Sequence, residues 1–348
     1  MRAHAMLSNE ISDAQRGWVL AEELRAKDGG RLLRKGQQLD DDALSKLPDA
    51  EGRTVHLIEL DAGDLHEDEA GMRIATAVAG SGIRVRGPLQ SRYNLIADHK
   101  GLLRVDAELV RAINAIDGVT VFTLLDRQPV LPGKVVAGVK ITPIAIAGAR
   151  VEAVEELVAE VCPPVLRVDS FAPLKVAVVA TEGLNERMRE RFAEMVGQKI
   201  GWYGSEVLSV EFVDANPEDV AAAFERALEN GAELLMAAGG NTIDPLDSIF
   251  LALPLIGGEI VHFGAPAHPG SMFWLARVGE TPIFNLASCS MYSRSTVADL
   301  ILPLVMTGQR VTSADIADFG YGGLLERDMR FRFPDYSADS SDEENEEP

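Results

Sequence analysis

From Lys175 onward, short apolar runs alternate with helix-length amphipathic segments, and this alternation restricts the fold more than any other feature of the chain. Lys175-Val-Ala-Val-Val-Ala180 is too short for a buried helix and has no polar residue after its first, so it predicts a strand covered on both faces. In Glu186 to Ile200, the residues Met188, Phe192, Met195, Val196 and Ile200 fall on one helical stripe, and Gly201 stands just beyond. Val207 to Val213 predicts a second strand. Asn216-Pro217 is a cap residue followed by the one residue best suited to a first helical turn. Val220, Phe224 and Leu228 form the inner face of that helix, and Gly231 ends it. Leu234-Leu-Met-Ala-Ala238 predicts the next strand. A helix near 245–256, strands at 259–263 and 282–286, and a helix from about 296 complete the series, with Pro303 expected to kink or end the last helix. The implied architecture is a three-layer α/β/α domain with a largely parallel sheet over 174–310.

The first half is less regular. Residues 1–165 read as an α+β region in one or two lobes, with strands near 54–60 and 119–125 and helices near 66–79, 106–116 and 151–161. A Pro-, Gly- and Val-rich stretch at 128–148 predicts a β-rich connector, and Cys162-Pro163-Pro164 marks a boundary. After the α/β domain come an extension at 311–334 and a tail at 335–348. The tail carries seven acidic residues and no basic one, a composition that predicts disorder.

The tail accounts for part of a formal net charge of -21, which argues against nucleic-acid or anionic-membrane partners. The long uncharged stretch Ile260–Ala276 is interrupted by Gly264, Pro266, Pro269 and Gly270 and does not suit a membrane-spanning helix. Two distant cysteines, Cys162 and Cys289, make no disulfide framework, and the first ten residues lack the apolar run of a signal peptide. A cytoplasmic protein is expected.

In such sheets, ligands bind beyond the carboxyl ends of the strands. Three segments fall there: Thr181-Glu-Gly-Leu-Asn185-Glu186, Gly239-Gly240-Asn241-Thr242-Ile243-Asp244-Pro245-Leu246-Asp247, and Ser288-Cys-Ser-Met-Tyr-Ser-Arg294-Ser295-Thr296. The second is the richest in chemistry. Its glycines permit a tight turn and close backbone approach, and N–H groups at a helix start hold phosphate without net positive charge. Asp244 and Asp247 either cap the following helix or hold Mg²⁺.

The string Gly239-Gly-Asn-Thr-Ile-Asp-Pro-Leu-Asp247 resembles the Gly-Gly-x-Ser/Thr-x-Gly/Asp-x-x-Asp loop of molybdopterin-binding domains of the MoeA and MogA type. Thr181–Glu186 is similar to the Thr-x-Gly-x-Asn/Asp-Glu turn of MoeA-like proteins, with one residue inserted. Pro266-Ala-His-Pro269-Gly270-Ser271 resembles their Pro-Gly segment. Ser288 to Pro303 is similar to the Cys-x-Met-Tyr stretch of a shorter MoeA-like branch, and His66-Glu-Asp-Glu-Ala70 and Gly133-Lys-Val-Val-Ala137 also fit that branch. The likeness reaches to about residue 325. The Leu-Pro-Gly-Asn-Pro loop of full MoeA proteins is replaced by Leu286-Ala-Ser-Cys-Ser290, there is no room for their C-terminal β-domain, and no cysteine follows Gly322-Gly-Leu.

The resemblance implies an α/β molybdopterin-binding domain preceded by a MoeA-like N-terminal region. It implies a phosphate cradle at Gly239, Gly240, Asn241 and Thr242, joined by Thr181, Asn185, Pro269, Gly270 and Ser288. Asp247 and Glu186 would be the catalytic carboxylates, Asp244 and Asp247 the Mg²⁺ ligands, and Arg294 and Ser295 further anion contacts. The ligand would be molybdopterin or its adenylylated form, with molybdate as co-substrate if insertion takes place. Molybdoenzymes or other cofactor-assembly proteins would be partners, and the chain would form a homodimer. Three functions stay open: a molybdotransferase-like enzyme, a non-catalytic cofactor carrier, and a competence-damage-type pyridine nucleotide hydrolase.

Several features favour plain structural roles. His66, Glu67, Asp68 and Glu69 are consecutive, so on a helix they point in different directions. Cys289, His262, His268, Trp202 and Tyr203 are expected to line or pack, and Arg294 either contacts an anion or pairs with Asp299 or Asp315.

Overall fold

The computed structural model describes residues 1–50, 52–159, 164–286 and 296–336. Cys162, Ser288, Cys289, Arg294 and Ser295 and nearly all of the acidic tail lie outside these residues. The chain divides into two compact units. One comprises Met1–His99, Leu103–Asp126 and Leu131–Val168; the other comprises Lys100–Leu102, Arg127–Val130 and the chain from Asp169 onward.

In the first unit, strands Arg2–Leu7, Thr54–Glu59 and Val19–Leu20 form a small antiparallel sheet over a core that includes Leu20, Leu33, Leu39, Leu47 and Leu57. A second antiparallel sheet has the order Val119–Thr123, Val135–Ile141, Arg92–Ala97, Ile83–Leu89. The helix Glu67–Val78 packs on one face of it. Gly71 leaves room for the Tyr93 ring, whose hydroxyl donates to the Asp68 carbonyl at 2.9 Å. His66 caps this helix: its Nδ1 accepts the Asp68 N–H at 3.2 Å, and its Nε2 lies 2.7 Å from the Gly36 carbonyl. Both ring nitrogens are therefore committed to the backbone, and no group of three or more metal-binding side chains is assembled among the described residues.

The second unit carries the alternation seen in the sequence. Its elements are β1 (Lys175–Ala180), α1 (Glu186–Trp202), β2 (Glu206–Phe212), α2 (Pro217–Glu229), β3 (Leu234–Ala238), α3 (Ser248–Ala252), β4 (Gly258–Phe263), β5 (Trp274–Val278), β6 (Thr281–Leu286) and α4 (Val297–Met306). The six-stranded sheet has the order β2-β1-β3-β6-β5-β4. Alternate residues of each strand face opposite ways. Val176, Val178, Leu234, Met236 and Phe284 meet α1 and α4 on one side. Ala177, Val179, Leu235, Ala237 and Ile283 meet α2 and α3 on the other. This is a three-layer α/β/α arrangement.

Two details differ from the sequence reading. The sheet is mixed: β2, β1, β3 and β6 are mutually parallel, but β5 and β4 run antiparallel to their neighbours. Strand β5 was hidden at the end of the Pro- and Gly-broken stretch, and it turns straight into β6 through Gly279-Glu280. The last helix also continues through Pro303 to Met306. Every residue of α4 is buried, and that apolar packing outweighs the missing hydrogen bond at the proline. Among the described residues, no helix is long and apolar enough to cross a membrane.

Candidate functional site

Chain order reverses between β1 and β3: from β1 the chain moves out to β2, then returns to β3 on the other side. A crevice opens at such a switch point, at the carboxyl ends of the two strands. The segments that leave β1 and β3 there are Thr181–Asn185 and Gly239–Asp247, and the fold brings them into contact. The Thr181 N–H donates to the Ala238 carbonyl at 2.9 Å. Gly239 has φ +90°, and a methyl group on it would sit 2.8 Å from Thr181 Oγ1 and 2.7 Å from the Glu182 side chain. Glycine is required there twice over, for its backbone angle and for the approach.

Gly240, with φ +80°, lies equally close to Asp247: a methyl group would come within 2.8 Å of Oδ1. The Asp247 carboxylate spans the loop. Its Oδ2 accepts the Asn241 N–H at 2.7 Å, and its Oδ1 accepts the Ile249 N–H at 3.0 Å. Asp247 thus caps α3 and closes the loop from Gly239 to Asp247 into one hydrogen-bonded turn. Asp244 Oδ1 accepts the Leu246 N–H at 2.9 Å, whereas its Oδ2 has no partner among the described residues. The N–H groups of Gly240, Thr242 and Ile243 likewise have no acceptor among the described residues. They leave a short run of unspent donors following two left-handed glycines, the backbone geometry that binds anions. Ile243 and Leu246 flank it with their side chains 70% and 73% exposed.

Asn185 caps α1 by accepting the Met188 N–H at 3.0 Å, and Glu186 is exposed in the first turn of that helix. Pro269 and Gly270 are placed differently from the loops at β1 and β3. The Pro269 carbonyl accepts the Val297 N–H at 3.2 Å, and a methyl group on Gly270 would meet that nitrogen at 2.9 Å. They therefore pack against the start of α4.

That helix start holds an internal anion. Asp299 is 2% exposed, and its Oδ2 accepts from the Thr296 N–H at 2.9 Å and from the Thr296 hydroxyl at 3.2 Å. Lys199 of α1, itself buried, donates to the same carboxylate at 2.8 and 3.1 Å, and the Tyr336 hydroxyl donates to Oδ1 at 3.0 Å. Burial raises the ionisation of Tyr336 well above its usual range, and the nearby Asp299 charge adds to this. Burial also raises that of Tyr203, whose hydroxyl lies 3.2 Å from that of Tyr336. A small pocket beside the ion pair is lined by Met195, Met236, Phe284, Leu286 and Leu302. The sequence reading missed this cluster, although two signals were present. Thr296-Val-Ala-Asp299 is a helix-start pattern with an acid at the third position. Lys199 also falls on the inner stripe of α1, one residue before Ile200. Asp315 is engaged elsewhere: it accepts from the Thr312 N–H at 2.8 Å and from Gln309 at 2.9 Å, and it lies 3.6 Å from Arg127.

No family model and no curated protein matches this chain. Several solved structures are similar to parts of it. One is a molybdopterin biosynthesis MoeA protein from Pyrococcus horikosii, at 15% identity over 70% of this chain and 79% of that one, with a TM-score of 0.30. Another is the molybdopterin biosynthesis Mog protein from Mycobacterium ulcerans, at 20% identity over 38% of this chain and 93% of that one, with a TM-score of 0.28. A third is CinA, a protein with unknown function from Thermoplasma acidophilum, at 15% identity over 33% of this chain and 88% of that one, with a TM-score of 0.27. Superposition at this level decides nothing further. The α/β/α assignment rests on the strand order and the two buried faces.

Proposed function

We propose that this chain binds molybdopterin, or its adenylylated form, at the loops that follow β1 and β3, in molybdenum cofactor biosynthesis. One observation carries the reading: the unspent N–H groups of Gly240, Thr242 and Ile243 lie at the topological switch point of the sheet, immediately after Gly239 and Gly240. An anionic ligand of so acidic a protein needs local donors, and backbone N–H groups supply them without a cation. Thr242 and Asn241 add side-chain donors, and the exposed Ile243 and Leu246 offer apolar contact to a flat ring system. Thr181, packed against Gly239, forms the opposite wall.

Asp244 fits a Mg²⁺ ion that arrives with the ligand. Its Oδ2, without a partner among the described residues, lies on the same loop as the donors, and Mg²⁺ is commonly held by one or two carboxylates together with substrate phosphates. Bound there, the ion would neutralise phosphate charge. Asp247 positions the loop, because both of its oxygens are taken by backbone N–H groups. That commitment favours a second reading, a carrier that holds the cofactor without turnover and passes it to a molybdoenzyme. In the molybdotransferase-like reading, Glu186 is the exposed carboxylate left to polarise a reacting group. From the sequence we carry Ser288, Arg294 and Ser295 as further ligand contacts, and we expect a cytoplasmic homodimer.

The test is binding of molybdopterin and of adenylylated molybdopterin, each with Mg²⁺, to wild type and to Thr242→Val, Asp244→Asn and Glu186→Gln variants, with AMP release followed after molybdate is added. Binding with release that depends on Glu186 makes it an enzyme, and binding without release makes it a carrier. Failure to bind either pterin removes the proposal.

A further inference from the structure

The four strands of the larger sheet in the first unit contain no Asp or Glu, in a chain with 54 acidic and 33 basic residues. They carry Arg84, Arg86, Arg92 and Lys140 instead, and the register puts all four on one face. Arg84 pairs with Ile96, Arg86 with Asn94, Arg92 with Lys140, and Asn94 also with Gly138, which pairs with Phe122. Paired residues point the same way, and so do residues two apart along a strand. The opposite face, with Tyr93, is the one packed on the helix Glu67–Val78.

Three observations give this face a ligand. Arg92 and Lys140 are directly opposed, with their β-carbons about 5 Å apart, an arrangement that costs free energy unless an anion lies between them. Arg86, Arg92 and Lys140 have no acidic partner among the described residues; only Arg84 approaches one, Asp98 at 3.8 Å. The Phe122 ring lies over Gly138 and is 45% exposed, adding an apolar contact at the edge.

We propose that this sheet face binds an acidic peptide segment of a partner protein. The cations form a strip across adjacent strands rather than converging on a point, which suits an extended polyanion. A single exposed aromatic on this face, Phe122, gives no stacking run for successive bases. Side-chain carboxylates along an extended peptide can answer Arg86, Arg92 and Lys140, which stand on three adjacent strands.

The probe is a fluorescein-labelled peptide of about ten glutamates, titrated by anisotropy at low ionic strength against the full-length protein. The Arg86→Gln/Arg92→Gln/Lys140→Gln variant is expected to weaken binding about tenfold, the combined effect of three exposed ion pairs. A control, Arg53→Gln/Arg111→Gln/Lys175→Gln, removes the same charge elsewhere and is expected to change binding less than twofold. Equal losses in the triple variant and the control would reduce the strip to a solvated polar face and overturn the proposal. So would tighter binding of a decathymidylate than of the peptide, or no binding by wild type.

Discussion

The two helix starts in the α/β unit, at Asp247 and at Asp299, use the same device in opposite surroundings. Each aspartate accepts backbone N–H groups near the beginning of a helix. Asp299 is buried and answered by Lys199 and Tyr336, so its charge is neutralised inside the protein. Asp247 is partly exposed and, among the described residues, answered only by the amides of Asn241 and Ile249, and its loop leaves further N–H groups without an acceptor among those residues. A helix start that supplies its own buried counterion is closed to an external anion. One that keeps donors in reserve at the surface is open to it. This contrast is why we propose the β1 and β3 loops, and not the α4 start, as the binding site.

The sharpest test of the contrast removes one partner of the buried pair. Lys199→Met leaves the Asp299 carboxylate buried without its cation, and we expect a loss of about 3–5 kcal/mol in urea unfolding. Lys199→Met combined with Asp299→Asn should recover part of that loss. If the single change cost under about 1 kcal/mol, the two helix starts would not differ as described.

Gly239→Ala comes next. Its φ of +90° and the 2.7 Å approach to Glu182 predict a loss of about 1–3 kcal/mol and the loss of pterin binding, read by urea unfolding and by titration. Asp247→Ala should cost about 1 kcal/mol as a lost cap, while loosening the loop enough to weaken the ligand about tenfold. An Asp247→Asn variant keeps one acceptor and should fall between the two.

The smallest effects are in pH. Tyr203 and Tyr336 ionise above their usual range in the folded chain. Their contribution to stability is complete below about pH 10, where the unfolded tyrosines are also neutral, and falls as pH rises beyond it. Tyr336→Phe should flatten that alkaline decline in thermal melts. For Asp315, burial pushes its ionisation up, but the hydrogen bonds from Thr312 and Gln309 and the nearby Arg127 charge outweigh it and hold the group below the usual carboxylate range. Its contribution is present above about pH 4 and fades on acidification, so Asp315→Asn should shallow the acid side of the same curve.

Much of this was legible in the residues. Lys175–Ala180 and Leu234–Ala238 announced themselves because a strand buried on both faces must be apolar throughout, and α1 and α2 because an inner stripe recurs at helical spacing. Gly239-Gly240 and Asp247 could be marked as a loop of special conformation. Strand β5 was not legible, because nothing in Trp274–Val278 says which neighbour it pairs with or in which direction.

The sequence by itself determined the order of elements, their inward faces and the residues at the strand ends, since these follow from local periodicity and from the conformations that glycine, proline and capping residues allow. Only the tertiary structure decided that Thr181 meets Gly239, that Asp247 spends both oxygens inside its own loop, and that Lys199 finds Asp299 a hundred positions away. Those outcomes depend on which surfaces pack together, and the energy of a buried contact depends on distance in space, which sequence separation does not encode.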